Sequence, residues 1–573
     1  MASQSTRHDR IEGSRSVGEA PAAAAGGNLG PIVARVGASY FERSGNPVLL
    51  QGCSVAQLEY LTRSRLATAA SRGVTLIRAW PDYGEAGALD EPAIARLRIA
   101  AEDLGVYFLF VLFSPGCLSD IFDGTSNFHR GRTVYNAFCK RSADVIDRSE
   151  TIDVLTERCR AILRIFGDSP ALMGWEIVNE TDPLYEVPPV AMSTFIHALA
   201  ANVRREDARV SARRLITASS FQPVAPAWLL DLEDLDFVAF HPYAESIHQP
   251  TNVIDGARHV GAAIRHVLRT DPRGSRPILD TESGIIAQLF DPAVPRPPLA
   301  FRAELAHNLR WAHFASGGAG TGLHVSVNDE GMRAARRVDA DQLRWEPVAA
   351  EFNDISAISR VWTHSRTGGA ALDAVDHITA DDPRVLVFAS RTSNRWLVWL
   401  LRDTRPTDLR AEIDVALAEP TSLTTLDHHL FTLDAWRAAL RRTALDPFNR
   451  FSREAISLLI RRRQLNRACE MVDEGLSHLA SVTRSLGLAD DGASVAPTRV
   501  NVTIEAFPET CARVFWFNDA DGTPIDASER RGPRLEVVSP PFDRHIALTI
   551  EIVADDMAGA RIADRAQVHA GEL

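Results

Sequence analysis

Trp175-Glu176-Ile177-Val178-Asn179-Glu180 sets an amide and a carboxylate side by side where a short apolar run stops. A run of this kind reads as a strand buried in a parallel sheet, and its polar end marks the strand's carboxyl terminus. Working outward, the chain alternates such runs with amphipathic helix-length segments from about residue 47, the pattern of a parallel sheet with crossover helices. The candidate strands are 47–54, 74–80, 106–114, 171–178, 214–219, 235–241, 277–281 and 322–327. Helical candidates lie between them, including 56–72, 91–104, 152–166, 190–205, 253–268, 301–315 and 341–359. Eight strand and helix units predict an α/β chain with a (β/α)8 TIM barrel, whose chemistry sits at the carboxyl ends of the strands. Glu180, His241, Tyr243, Glu282 and Asn328 all fall at or just beyond those ends.

A carboxylate at a strand end suits the cleavage of glycosidic bonds. That reaction needs one carboxylic acid to protonate the leaving oxygen and a second carboxylate to stabilise or attack the anomeric carbon. The second is found in Arg276-Pro277-Ile278-Leu279-Asp280-Thr281-Glu282-Ser283-Gly284, where Glu282 follows an apolar run into a small-residue turn. Asp280 shares a strand face with it and is its rival, although it would lie deeper in the barrel.

Asn-Glu ending one strand and Glu-x-Gly ending a later one resemble the retaining glycoside hydrolases of clan A, most closely glycoside hydrolase family 5, the cellulase and mannanase type. The resemblance spans roughly residues 30 to 360. It implies Glu180 as acid/base, Glu282 as nucleophile and Asn179 as the partner of a sugar 2-hydroxyl. His241-Pro242-Tyr243 resembles the family's His-x-Tyr, in which the tyrosine orients the nucleophile and the histidine lies in the sugar site. Arg78 matches the strand-two arginine that keeps the nucleophile anionic, with a buried ion pair to Glu176 or Asp280 as the structural alternative. Trp80 and Asp82, with Tyr83, follow directly; Trp80 reads equally as a sugar platform or as barrel packing. The chain departs from the pattern in two places: strand eight reads Gly322-Leu323-His324-Val325-Ser326-Val327-Asn328 without the usual tryptophan, and strand three ends in Ser114 rather than histidine. Sugar and linkage are therefore left open. A barrel that binds glycan without cleaving it is one alternative. A metal-dependent barrel hydrolase using His241, His324, Asp280 and Glu282 is another, weakened because strand one lacks His-x-His.

After residue 365 the texture changes to short β runs at 384–390, 396–401, 409–417, 501–507, 512–517, 534–538 and 545–553. These predict a C-terminal β-sandwich domain (366–431 and 493–573) following the barrel (31–365), with a helical insertion at 432–492 and a disordered leader at 1–30. The β domain reads as a brace for the barrel. Asn518-Asp519-Ala520-Asp521-Gly522 has a passing likeness to a calcium loop, but lacks the downstream glutamate and reads as a hairpin turn.

With 573 residues, 45% of them hydrophobic and 24% charged, the composition is that of a globular protein with more than one core. The net charge of −12 gives no electrostatic reason to expect nucleic acid, and no apolar run is long enough for a membrane span. The 6 cysteines lack metal-ligand spacing, so neither metal nor cofactor is expected. Ala22 to Ala25 is too short for a signal-peptide core, which predicts a cytoplasmic chain acting on a carbohydrate substrate.

Overall fold

A computed structural model describes residues 29–55, 58, 61–81, 89, 91–113, 146, 148–181, 187–220, 225–241, 254–283, 299–324, 354–365, 372–375, 377–403, 497–505, 511–532 and 534–553. Tyr243, Asp82, Asn328, the strand candidate at 409–417, the leader and the helical insertion fall outside the described residues, as does most of the loop after strand three.

The barrel is closed by eight parallel strands: β4 (Leu50–Val55), β5 (Leu76–Ala79), β6 (Tyr107–Val111), β7 (Leu172–Val178), β8 (Leu215–Ser220), β9 (Val238–Phe240), β10 (Ile278–Asp280) and β11 (Gly320–His324). Each pairs with its sequence neighbour, and β11 returns to β4. The described helices are α1 (Arg63–Ser71), α2 (Glu91–Leu104), α3 (Ser149–Phe166), α4 (Pro189–Arg209), α5 (Ala227–Leu230), α6 (Asp255–Thr270), α7 (Leu299–Ala315) and α8 (Ile355–Ser365). Their buried faces follow helical spacing. In α3, Leu155, Cys159, Ile162 and Phe166 line one side, all at most 1% exposed, and Gly167 ends the helix at φ 55°. Strand β6, Tyr-Phe-Leu-Phe-Val, is buried throughout because its two faces meet barrel interior and helices. Closure needs a small residue where β11 meets β4: a Cβ on Gly320 (φ 149°) would stand 1.6 Å from the Leu50 carbonyl oxygen.

One strand expected to begin at residue 47 begins later. Ser44 and Gly45 both have positive φ (52° and 77°), the primed turn that closes a two-residue hairpin. This turn pairs β3 (Asn46–Val48) antiparallel to β2 (Phe41–Arg43), which pairs in turn with β1 (Ile32–Val33). The small sheet packs on the amino-terminal end of the barrel through Phe41 against Phe237, while the Tyr107 hydroxyl donates to the Gly30 carbonyl. That end is therefore covered, opposite the strand ends that hold the candidate site.

The carboxyl-terminal part is a β-sandwich. A six-stranded sheet runs β12 (Asp373–Ala374), β14 (Val385–Arg391), β15 (Arg395–Arg402), β20 (His545–Val553), β17 (Cys511–Phe517), β18 (Pro524–Arg531). It faces a three-stranded sheet of β13 (Ile378–Ala380), β16 (Asn501–Ile504) and β19 (Leu535–Val538). Strand β15 is buried on both sides. Trp396, Val398 and Leu400 enter the sandwich core, whereas Leu397, Trp399 and Leu401 pack on α6, α7 and α8 of the barrel. Asn518–Gly522 forms the β17–β18 hairpin turn, closed by Gly522 N–H donating to the Asn518 carbonyl at 2.7 Å. Among the described residues no helix is long and apolar enough to cross a membrane.

Candidate active site

The end of β7 is shaped by its neighbours. Register slips between Glu176 and Val178 in the pairing with β8, a bulge of the kind that re-aims side chains at a strand end. Beyond it the Asn179 N–H donates to the Phe113 carbonyl (2.8 Å), and the Glu180 N–H donates to Ser219 Oγ (3.0 Å). Thr181 returns both its N–H and its hydroxyl to the Ser219 carbonyl, at 2.9 and 3.1 Å. Held in this way, Glu180 adopts φ 56°, a left-handed conformation that costs a non-glycine residue about 1–2 kcal/mol. The strain sits on the residue whose carboxyl meets His241. Glu180→Gly is accordingly expected to melt above Glu180→Ala, by about 1 kcal/mol of stability in paired thermal scans, since both lack the carboxyl and only alanine keeps the strain.

Beneath lies a buried ionic network. Arg78 on β5 is fully buried and donates from Nε and Nη2 to both oxygens of Glu176, at 2.6 and 2.8 Å. Its Nη1 donates to Glu282 Oε2 at 2.7 Å and to Ser54 Oγ at 2.8 Å, and its Nη2 also donates to Asn179 Oδ1. Burial alone would lower the guanidinium's pKa, but the charge and hydrogen bonds of Glu176, with Glu282 and Glu180, outweigh it and hold the pKa above its ordinary value. Ser219 Oγ donates to Glu176 Oε1 at 2.6 Å, so β8 ties the network to the Glu180 backbone.

The second shared group is His241, at the end of β9 and fully buried. Its Nδ1 lies 2.9 Å from Glu180 Oε1 and 3.8 Å from Glu282 Oε2, and its Nε2 lies 3.1 Å from Thr281 Oγ1. Oxygens of Glu180 and Glu282 and a nitrogen of His241 all lie within 4.8 Å of one another. Burial raises the pKa of Glu180, His241 pulls it back and the Glu282 charge adds to the rise; the net direction is up. His241 is opposed by burial, yet Glu282 and Glu180 hold its pKa above the ordinary imidazole value. The side chains of Glu180 and Glu282 keep 14% and 9% of their exposure, while His241 and Arg78 keep none.

Six of the nine residues singled out from the sequence are described, and five of them meet in one cluster: Arg78, Asn179, Glu180, His241 and Glu282. Trp80, the sixth, is 3% exposed with the Arg78 guanidinium over its face at 4.3 Å. Asp280, the rival to Glu282, is wholly buried one turn of the pleat deeper, and burial pushes its carboxyl up to about 7. Arg78 pairs with Glu176 and Glu282 rather than with Asp280. Ser54, Ser219 and Thr281 were not singled out, although each lies in the last two positions of a barrel strand or directly after one, the signal that would have found them.

No family model matches the chain, and no curated protein matches it in sequence. Solved structures do match. A glycoside hydrolase superposes with a TM-score of 0.51 at 11% identity, over 91% of this chain and 97% of that one. The chain shares its barrel-and-sandwich fold with that glycoside hydrolase. A family 5 glycoside hydrolase from Bacteroides vulgatus ATCC 8482 matches with a TM-score of 0.49 at 12% identity, over 91% of this chain and 94% of its own. An endo-1,4-beta-mannanase from Rhizomucor miehei matches with a TM-score of 0.43 at 14% identity, over 57% and 99% respectively.

Proposed function

We propose that this glycoside-hydrolase fold carries a retaining β-glycosidase, with Glu180 as acid/base and Glu282 as nucleophile. A shared fold does not assign an activity; the site must. The observation that carries the reading is that an oxygen of each carboxyl lies within 4.8 Å of the other, the close approach expected of retaining enzymes rather than the wider gap of roughly 6.5–9.5 Å that admits an inverting water.

The remaining geometry supports the division of roles. Glu180, pushed toward its protonated form, gives its proton to the leaving oxygen as the bond to the anomeric carbon breaks, and His241 then faces the new carboxylate. A Glu282 oxygen, kept charged by Arg78, attacks the same carbon and forms a glycosyl ester. Water then gives a proton back to Glu180 while its oxygen displaces Glu282. Arg78 fixes the Asn179 carbonyl end, which turns the amide NH2 toward a sugar hydroxyl.

Turnover of substrates with poor leaving groups is expected to fall as pH rises through the Glu180 value, at a pH above the ordinary glutamate range. On an activated aryl β-glycoside, whose leaving group needs no proton, Glu180→Gln should still form the glycosyl ester without an alkaline limb, and azide should restore Glu180→Ala. Proton NMR of the first-formed product must show the β-anomer; an α-anomer would exclude retention. A wild type as inert as its glutamine variants on aryl glycosides and on β-glucan, mannan and xylan would leave only a glycan-binding barrel. The metal-dependent reading on His241, His324, Asp280 and Glu282 requires a bound ion needed for turnover that Glu282→Gln loses; of those four, His241 and Glu282 converge here, with Glu180.

A further inference from the structure

A second convergence of ligating atoms lies where the sandwich meets the barrel. His307 comes from α7, Asp519 from the β17–β18 turn and His545 from the start of β20. One ligand atom from each lies within 4.8 Å of the others. His545 Nδ1 is 2.8 Å and His307 Nε2 is 3.3 Å from the Asp519 carboxylate, and the two imidazole rings lie 4.3 Å apart. Ligands at about 2.0–2.1 Å around a tetrahedral ion stand about 3.3 Å from one another, so a movement of a few tenths of an ångström by His545 would seat one. Two imidazoles and one carboxylate suit zinc better than calcium or magnesium, which favour all-oxygen sets.

The surroundings have the form of a metal site's outer layer. Trp399 Nε1 donates to Asp519 Oδ2 at 2.7 Å and fixes the carboxylate. The far nitrogen of His307, Nδ1, stands 4.0 Å from Asp354 Oδ2, a buried oxygen with no hydrogen-bond partner of its own, while Arg310 donates to Asp354 Oδ1 at 2.7 Å. His307 thus stands between two carboxylates, with Nε2 toward Asp519 and Nδ1 toward Asp354. Ligating histidines usually direct their other nitrogen at a carboxylate in this manner.

We propose that His307, Asp519 and His545 form a zinc-type divalent metal site that ties the β-sandwich to the barrel, structural in role and distinct from the carboxylate cleft. His545, with 21% of its side chain exposed, leaves the ion a water-filled fourth position. The test is titration of EDTA-treated, dialysed full-length protein with Zn2+ against a chromophoric chelator, together with thermal scans. The expected result is one Zn2+ per chain, with a rise in melting temperature, retained in Glu180→Gln. Binding should fall by about 10–100-fold in Asp354→Asn, which keeps all three ligands, and should vanish in His545→Gln and in Asp519→Asn. If Asp519→Asn does not fold, the partly exposed His307→Gln supplies the same comparison. Binding that survives loss of His307 or His545, or that disappears in Glu180→Gln, overturns the proposal. Absence of stoichiometric binding also overturns it, and melting that then depends on pH alone identifies an imidazolium clasp on Asp519.

Discussion

Glu282→Gln is expected to lower kcat on aryl β-glycosides by roughly 10^4- to 10^6-fold, the scale seen when the nucleophile of a covalent mechanism is removed. The amide keeps the volume but has no charge with which to attack, and it cannot form the ester. Its NH2 would also meet Arg78 Nη1, so one donor faces another where the wild type has a contact of 2.7 Å. Glutamine can turn its carbonyl to the guanidinium, which preserves the fold and confines the loss to chemistry. Steady-state kinetics beside an unchanged thermal scan checks both halves. A variant retaining a tenth of wild-type kcat would remove Glu282 from the nucleophile's role.

Arg78→Met is expected to cost stability as well as activity. The arginine is the cation between Glu176 and Glu282; Arg78 and Glu176 are wholly removed from water and Glu282 nearly so. Breaking a buried pair by deleting one partner costs about 3–5 kcal/mol, because the remaining charge is left without compensation. Chemical denaturation should read a loss of that size, and Arg78→Lys should recover only part of it, since a single ammonium cannot meet both Glu176 oxygens in a fork. Combining Arg78→Met with Glu176→Met should return some stability, as apolar replacement of a whole buried pair often does, without returning turnover. That separation would show that Arg78 acts on Glu282 as well as on the fold.

Much of the barrel was legible in the sequence for a simple physical reason. Parallel strands covered on both faces read as largely apolar runs, and in β7 the run stops at the polar pair Asn179 and Glu180. The pairing of Glu180 with Glu282 followed because closing the barrel gathers strand ends that are far apart in the chain. What escaped lacks such a signature. Strand β18, Pro-Ile-Asp-Ala-Ser-Glu-Arg-Arg, is polar and exposed at a sheet edge and resembles a loop. The hairpin of β2 and β3 hid behind an apolar stretch that continues into β4, with only Ser44 and Gly45 to mark the break. Ser219 was missed because a serine ending a strand is common, and its value lies in reaching Glu176 and the Glu180 backbone together. The His307 and Asp519 contact joins residues 212 positions apart, a distance over which local pattern carries no information.

The two-sided burial of β15 bears on how this molecule comes apart. Its odd-numbered side chains are interior to one architectural unit and its even-numbered ones to the other, so no cut along the chain separates two independent solvophobic interiors. Calorimetry would then see a single cooperative transition where the topology suggests two. A barrel excised at its apparent border would carry a bare apolar wall formed by α6, α7 and α8, and it would associate with itself before it unfolded.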